Sequence, residues 1–144
     1  MTGDASGGVV PAEPVLAALR EARAAEKSQT TFYRALAAEA EEAGDPATAE
    51  RLNGLLADEQ HHLSRITARL LEWGQPIPDV RGTNSVPDLG TWESVARDRE
   101  KAEIERYETL LELAPDERTR RMIAEFLEAE RSHAELLGGK WMGA

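Results

Sequence analysis

A chain of 144 residues with 27 Asp and Glu against 17 Lys and Arg has a formal charge of −10. That is long enough for one domain with its own core and the wrong sign for nucleic acid or an anionic membrane as main partner. With no cysteine, disulfides, iron–sulfur clusters, cysteine zinc sites and thiol nucleophiles are excluded. The 41% hydrophobic and 31% charged fractions fit a helix-rich globule. No run approaches the roughly 18 apolar residues of a membrane span, and the opening MTGDASGGVV lacks the basic and apolar regions of a signal peptide, so the expected location is cytoplasmic.

Residues 1–12 are Gly-, Ser- and Ala-rich and read as a disordered tail. The predicted domain spans 13–138, followed by a short tail over 139–144. A first helix is expected over about 14–43, with Pro14 in its first turn and Ala, Leu, Glu and Arg dominating after it. Gly44-Asp45-Pro46 reads as a helix stop, an N-cap carboxylate and a first-turn proline, opening a second helix over about 46–73. Residues 74–90, rich in proline and glycine, can only be a loop or extended connection. Thr91 is the expected N-cap of a third helix over about 91–114, and Pro115-Asp116 marks a tight turn into a fourth over about 116–137. Short, long and short connections predict an all-α bundle of two helical hairpins joined by a long crossover. The halves also resemble each other: DPATAERLNGLLADEQHHLSRI and PDERTRRMIAEFLEAERSHAELL share a turn, an apolar stripe and a Glu-x-x-His.

The stripes carry the chemical signal. Helix 2 aligns Leu52, Leu56, Glu59, Leu63, Ile66, Leu70 and Trp73 at helical spacing, and helix 4 aligns Ile123, Phe126, Glu130, His133 and Leu137. Helix 1 places Leu19, Glu26, Tyr33 and Ala40 seven apart, and helix 3 aligns Ala96, Glu100, Glu103, Tyr107, Leu110 and Ala114. Each helix therefore aims at least one glutamate inward. Unpartnered buried carboxylates cost several kcal/mol each. Protons or inward basic residues could compensate them, but the stripes hold no Lys or Arg at these levels. Two divalent ions would balance the charges of Glu26, Glu59, Glu100 and Glu130. Glu59-x-x-His62 and Glu130-x-x-His133 each put a carboxylate and an imidazole on one helical face, a sulfur-free donor set that favours iron or manganese over structural zinc. His61 lies about 100° away from His62, on a face that Asp58 and Arg65 mark as polar. Tyr33 and Tyr107 can orient ligand carboxylates or sit as core residues with satisfied hydroxyls. Trp73, Trp92 and Trp141 lie at helix ends, where they would plug the bundle or a subunit contact.

The constellation Glu26…Tyr33…Glu59-x-x-His62…Glu100…Tyr107…Glu130-x-x-His133 resembles the ferritin-like di-iron carboxylate superfamily, and within it the rubrerythrin branch. The resemblance implies Glu26 and Glu100 as terminal carboxylates, Glu59 and Glu130 as bridging ones, and His62 and His133 as imidazole ligands. It also implies Glu103 as the further glutamate that rubrerythrins carry on the third helix. The spacing from Glu100 to Glu130 is three residues shorter than that from Glu26 to Glu59, which leaves Glu100 and Glu103 as alternatives for the main third-helix ligand. Rubrerythrins proper add a cysteine-ligated rubredoxin iron, absent here, so electrons would come from another protein.

The expected activity is that of a di-iron oxidoreductase reducing hydrogen peroxide or dioxygen, with Glu59, Glu130 and Glu103 at the reacting centre, two iron ions as cofactors and manganese able to use the same ligands. The alternatives are a ferroxidase feeding iron storage and, from another class, a non-catalytic helical interaction module with an acidic docking surface. A homodimer or larger homo-oligomer is expected, with no nucleic-acid or membrane partner.

Overall fold

The computed structural model describes residues 9–78 and 88–138. Within them, helix α1 spans Glu13–Glu42, α2 Pro46–Glu72, α3 Trp92–Leu113 and α4 Glu117–Leu137, with a 3-10 turn at Leu89–Thr91 before α3. The 1–12 and 139–144 tails lie outside the described residues except for 9–12, as do Trp141 and residues 79–87 of the 74–90 connection. No helix is long and apolar enough to cross a membrane among the described residues.

The helix ends follow from local chemistry. Gly44 adopts φ +71° after α1 and Gly74 φ +72° after α2, a left-handed conformation that glycine reaches without a Cβ penalty. Asp45 caps α2 by accepting from the Thr48 amide at 3.2 Å, and Asp116 caps α4 by accepting from the Thr119 amide at 2.7 Å. Thr91 stands at the N-cap position of α3 but makes no side-chain cap bond. The capping carboxylate there is Asp88, which accepts from the Gly90 amide at 3.0 Å and starts the 3-10 turn instead.

The arrangement is an all-α four-helix bundle of two hairpins, as expected: α1 packs along α2, α3 along α4, and the hairpins meet chiefly through α1 and α3. Two apolar clusters occupy opposite ends. One gathers Leu16, Leu19, Ile66, Leu70, Trp73 and Phe126; the other gathers Phe32, Leu36, Leu52, Trp92, Ala96 and Leu137. Each large side chain contributes roughly 1.5–3 kcal/mol by leaving water. Trp73 and Trp92 close the two ends, 4% and 5% exposed. On α2, Leu56 and Leu63 are only half-buried while His62 is buried, so the inward face turns further towards His62 than the leucine stripe predicts. The polar pair Glu59 and His62 takes the central positions, and the leucines flank it.

Candidate metal centre

Between the apolar ends, α1 contributes Glu26, Gln29 and Tyr33; α2, Glu59 and His62; α3, Glu100, Glu103 and Tyr107; α4, Glu130 and His133. Glu26, Glu59, Glu100 and Glu130 are 0% exposed, Glu103 and His62 3%, and His133 5%. Their ligand atoms form two quartets, Glu26–Glu59–His62–Glu130 and Glu59–Glu100–Glu130–His133, in each of which the atoms lie within 4.8 Å of one another. Glu59 and Glu130 belong to both. Both imidazoles turn Nδ1 inward. His62 Nδ1 is 3.4 Å from Glu26 Oε2, 3.4 Å from Glu59 Oε1 and 3.8 Å from Glu130 Oε2. His133 Nδ1 is 3.1 Å from Glu130 Oε1, 3.5 Å from Glu100 Oε1 and 3.7 Å from Glu59 Oε2.

The tyrosines cross between hairpins. Tyr33 donates to Glu100 Oε2 at 2.6 Å, joined by Gln29 Nε2 at 3.3 Å, and Tyr107 donates to Glu26 Oε2. Each leaves the carboxylate's other oxygen free. Glu26 Oε1, both oxygens of Glu59, Glu100 Oε1, Glu130 Oε2 and His62 Nδ1 are buried without a hydrogen-bond partner among the described residues. Orphaned buried acceptors are rare because each forfeits its hydration. A cluster of them on inward carboxylates and an imidazole fits two divalent cations and fits hydrogen bonding poorly.

The electrostatics agree with that donor set. Burial, then the charges of Glu26, Glu130 and Glu100, push the Glu59 carboxyl well above its usual range. Burial raises Glu130 despite the bonds from His133 and His62, and it would raise Glu100 too, but the His133 imidazole outweighs it and holds Glu100 low. Burial alone would lower the histidines. The nearby carboxylates of Glu130 and Glu26 instead bring His62 to about 9, and those of Glu100 and Glu130 bring His133 to about 11. Without metal, protons supply the positive charge that the carboxylates require.

Of the sequence-predicted residues, Glu26, Glu59, His62, Glu100, Glu130 and His133 converge in the two quartets, and Tyr33 and Tyr107 bond two of them. Glu103 is buried nearby but stands outside both quartets. Arg106, four-fifths of a turn along the same helix, pairs with its Oε1 at 2.5 Å. That corrects the expectation that no basic residue meets the inward acids: an arginine three positions on reaches back to the stripe from its flank. Burial and then Glu26 raise the Glu103 carboxyl to about 9, with Arg106 pulling the other way. Its Oε2 is unpartnered, and it borders a cavity of about 290 Å³ lined also by Gln29, Arg99 and Arg106. His61 is exposed.

Two residues that sequence reasoning passed over also reach the cluster. Asp58 accepts a hydrogen bond from His133 Nε2 at 2.8 Å, although its own helical face reads as solvated. Gln29 supports Glu100. In the alignment of the two halves Asp58 falls opposite Ala129 and Gln29 opposite Glu103, differences whose role shows only once the helices are brought together.

Comparison with known proteins agrees with the geometry. Residues 6–74 match the family model of the ferritin-like domain. No curated protein matches the chain in sequence. Among solved structures, the chain superposes on the Desulfovibrio desulfuricans bacterioferritin with a TM-score of 0.79 and 22% identity, covering 88% of this chain and 77% of that one. That structure describes a diiron site in different catalytic states, reduced in solution and allowed to reoxidise. The similar structure is thus a bacterioferritin and not a rubrerythrin.

Proposed function

We propose that this ferritin-like bundle is a ferroxidase: it binds two ferrous ions and passes their electrons to dioxygen. The observation that carries the reading is the pair of quartets sharing Glu59 and Glu130, with orphaned carboxylate oxygens and inward Nδ1 atoms at the centre of the bundle. The likeness to a bacterioferritin with a diiron site supports it. Ferrous iron is the substrate here. Glu26 and His62 would hold one ion, Glu100 and His133 the other, with Glu59 and Glu130 between them. Two ferrous ions each lose one electron, and dioxygen takes up two electrons and two protons to leave as hydrogen peroxide. The chain's own part is to balance the charge of the two ferrous ions with four carboxylates fixed in a buried interior, and to hold Glu26 and Glu100 in place through Tyr107 and Tyr33. Delivery of ferric iron to a store would require assembly into a shell, which a native size measurement tests.

Glu103 favours a second reading. A further buried carboxylate beside the quartets, with one oxygen unpartnered, is what a rubrerythrin-type peroxidase requires, with two resident iron ions reduced by an external donor protein. Manganese suits the same donors. The test is to load the metal-free chain anaerobically with two ferrous ions and mix it rapidly with dioxygen or hydrogen peroxide. The ferroxidase reading predicts fast oxidation by dioxygen, abolished in Glu59→Ala and Glu130→Ala. Oxidation by peroxide alone, repeatable only when an electron donor is supplied, selects the peroxidase. No oxidation by either overturns both.

A further inference from the structure

The halves of the bundle repeat the ligands but not what holds them. His133 is clamped at both ring nitrogens, Nδ1 towards Glu130 and Glu100, Nε2 on Asp58 at 2.8 Å. The carboxylates within ion-pairing distance of His62, among the described residues, are the cluster's own Glu26, Glu59 and Glu130. Its ring rests on Phe126, with centroids 4.2 Å apart. The position that corresponds to Asp58 in the other Glu-x-x-His segment is Ala129, which offers no acceptor.

The terminal glutamates differ in the same direction. Glu100 receives two hydrogen bonds, from Tyr33 and Gln29, whereas Glu26 receives one from Tyr107. Where Gln29 donates in one half, the other half has Glu103, whose Oε1 faces Arg106 at 2.5 Å and whose Oε2 has no partner among the described residues.

We propose that Asp58 is a positioning residue that keeps the proton on His133 Nε2 and presents Nδ1 as a ligand, so that the Glu59–Glu100–Glu130–His133 position is the tighter of two metal sites and fills first. The physical basis is general. A metal-bound imidazole whose remote N–H is held by a carboxylate has a fixed tautomer and ring orientation, and losing such a partner typically lowers metal affinity 10- to 100-fold. Glu103 does not offset this on the other side, because paired with Arg106 it adds no net negative charge to the Glu26–His62 position.

The inference rests on the two-metal reading above, and the experiment separates the two. Metal-free chain is titrated anaerobically with cobalt(II), which is not oxidised in the process, and binding is followed by calorimetry and visible absorption. Wild type takes up two cobalt ions in two steps of unequal affinity. In Asp58→Ala the first step weakens 10- to 100-fold with an altered absorption envelope while the second is unchanged. Asp58→Asn, which keeps an acceptor oxygen, recovers most of the first step. Asp58 is 58% exposed and lines an open pocket with His133, so water replaces it at Nε2 and both metal-free variants stay folded, as thermal melting checks. Two equal steps in wild type, or an Asp58→Ala titration that matches wild type or weakens both steps alike, overturns the proposal and leaves the two-metal reading standing. Fewer than two cobalt ions per wild-type chain overturns the two-metal reading itself.

Discussion

Glu59 concentrates the chemistry of the centre at the scale of single residues. It is fully buried, neither oxygen has a hydrogen-bond partner among the described residues, and burial together with Glu26 pushes its carboxyl up. Its charge is therefore a cost to the metal-free fold. Glu59→Gln keeps the shape and removes the charge, so thermal unfolding of the metal-free variant should show a gain of about 1–2 kcal/mol over wild type, with the metal-dependent rise in melting temperature lost, as when function is exchanged for stability. A Glu59→Gln chain less stable than wild type without metal would contradict the reading. Tyr107→Phe acts in the opposite sense. It strips the donor from Glu26, and denaturant unfolding should show a loss of about 1–3 kcal/mol. The candidate ligands were legible in the sequence because helical spacing and an inward phase select them. Asp58 was not, because its bond joins residues 75 positions apart and nothing local marks a solvated aspartate as reaching across a groove.

At the scale of the elements, the helix stops and the clamp between hairpins matter most. Asp116 caps α4 and also accepts from Arg69 Nη2 at 2.8 Å. Arg69, 5% exposed, bonds Thr119 through Nε at 3.0 Å, pairs with Glu72 at 3.1 Å and lies 4.3 Å over the Trp73 ring. This network ties the end of α2 to the start of α4, where few other contacts join the hairpins. Arg69→Ala should cost about 2–3 kcal/mol by leaving buried partners unpaired. Asp116→Ala should cost about 1 kcal/mol as a lost cap, read as a drop of about 3–5 °C in melting temperature. Slight burial would raise the Asp116 carboxyl, but the Thr119 bonds and Arg69 outweigh it and hold it low. A carboxyl lowered by folding stabilises above its unfolded value of about 3.9 and loses that contribution as pH falls through the folded one. The gap between wild type and Asp116→Ala should accordingly be full at pH 7 and narrow below about pH 4. Proline and glycine punctuation made these ends readable. Thr91 misled because Asp88, three residues earlier, captured the start of the turn.

For the whole molecule, the repeat of a Glu-x-x-His hairpin predicts a bundle with facing halves, and the fold follows from it directly. What the repeat hides is the inequality of the halves: Asp58 against Ala129 and Gln29 against Glu103 become meaningful only when helices from opposite hairpins are brought together. Assembly into larger particles lies beyond both, since it depends on surfaces that no internal pattern encodes. The bundle as a whole stores like charges at its centre and closes them in with apolar ends, so ion binding should stabilise the entire fold. At a free metal concentration 100 times the dissociation constant the gain is about 2.7 kcal/mol, a rise of roughly 10 °C. The most direct test of two metal positions is the ferrous iron retained per chain after anaerobic loading and desalting, measured by elemental analysis. The account predicts two per wild-type chain and at most one in Glu59→Ala or Glu130→Ala. Less than one in wild type, or two in those variants, would contradict it.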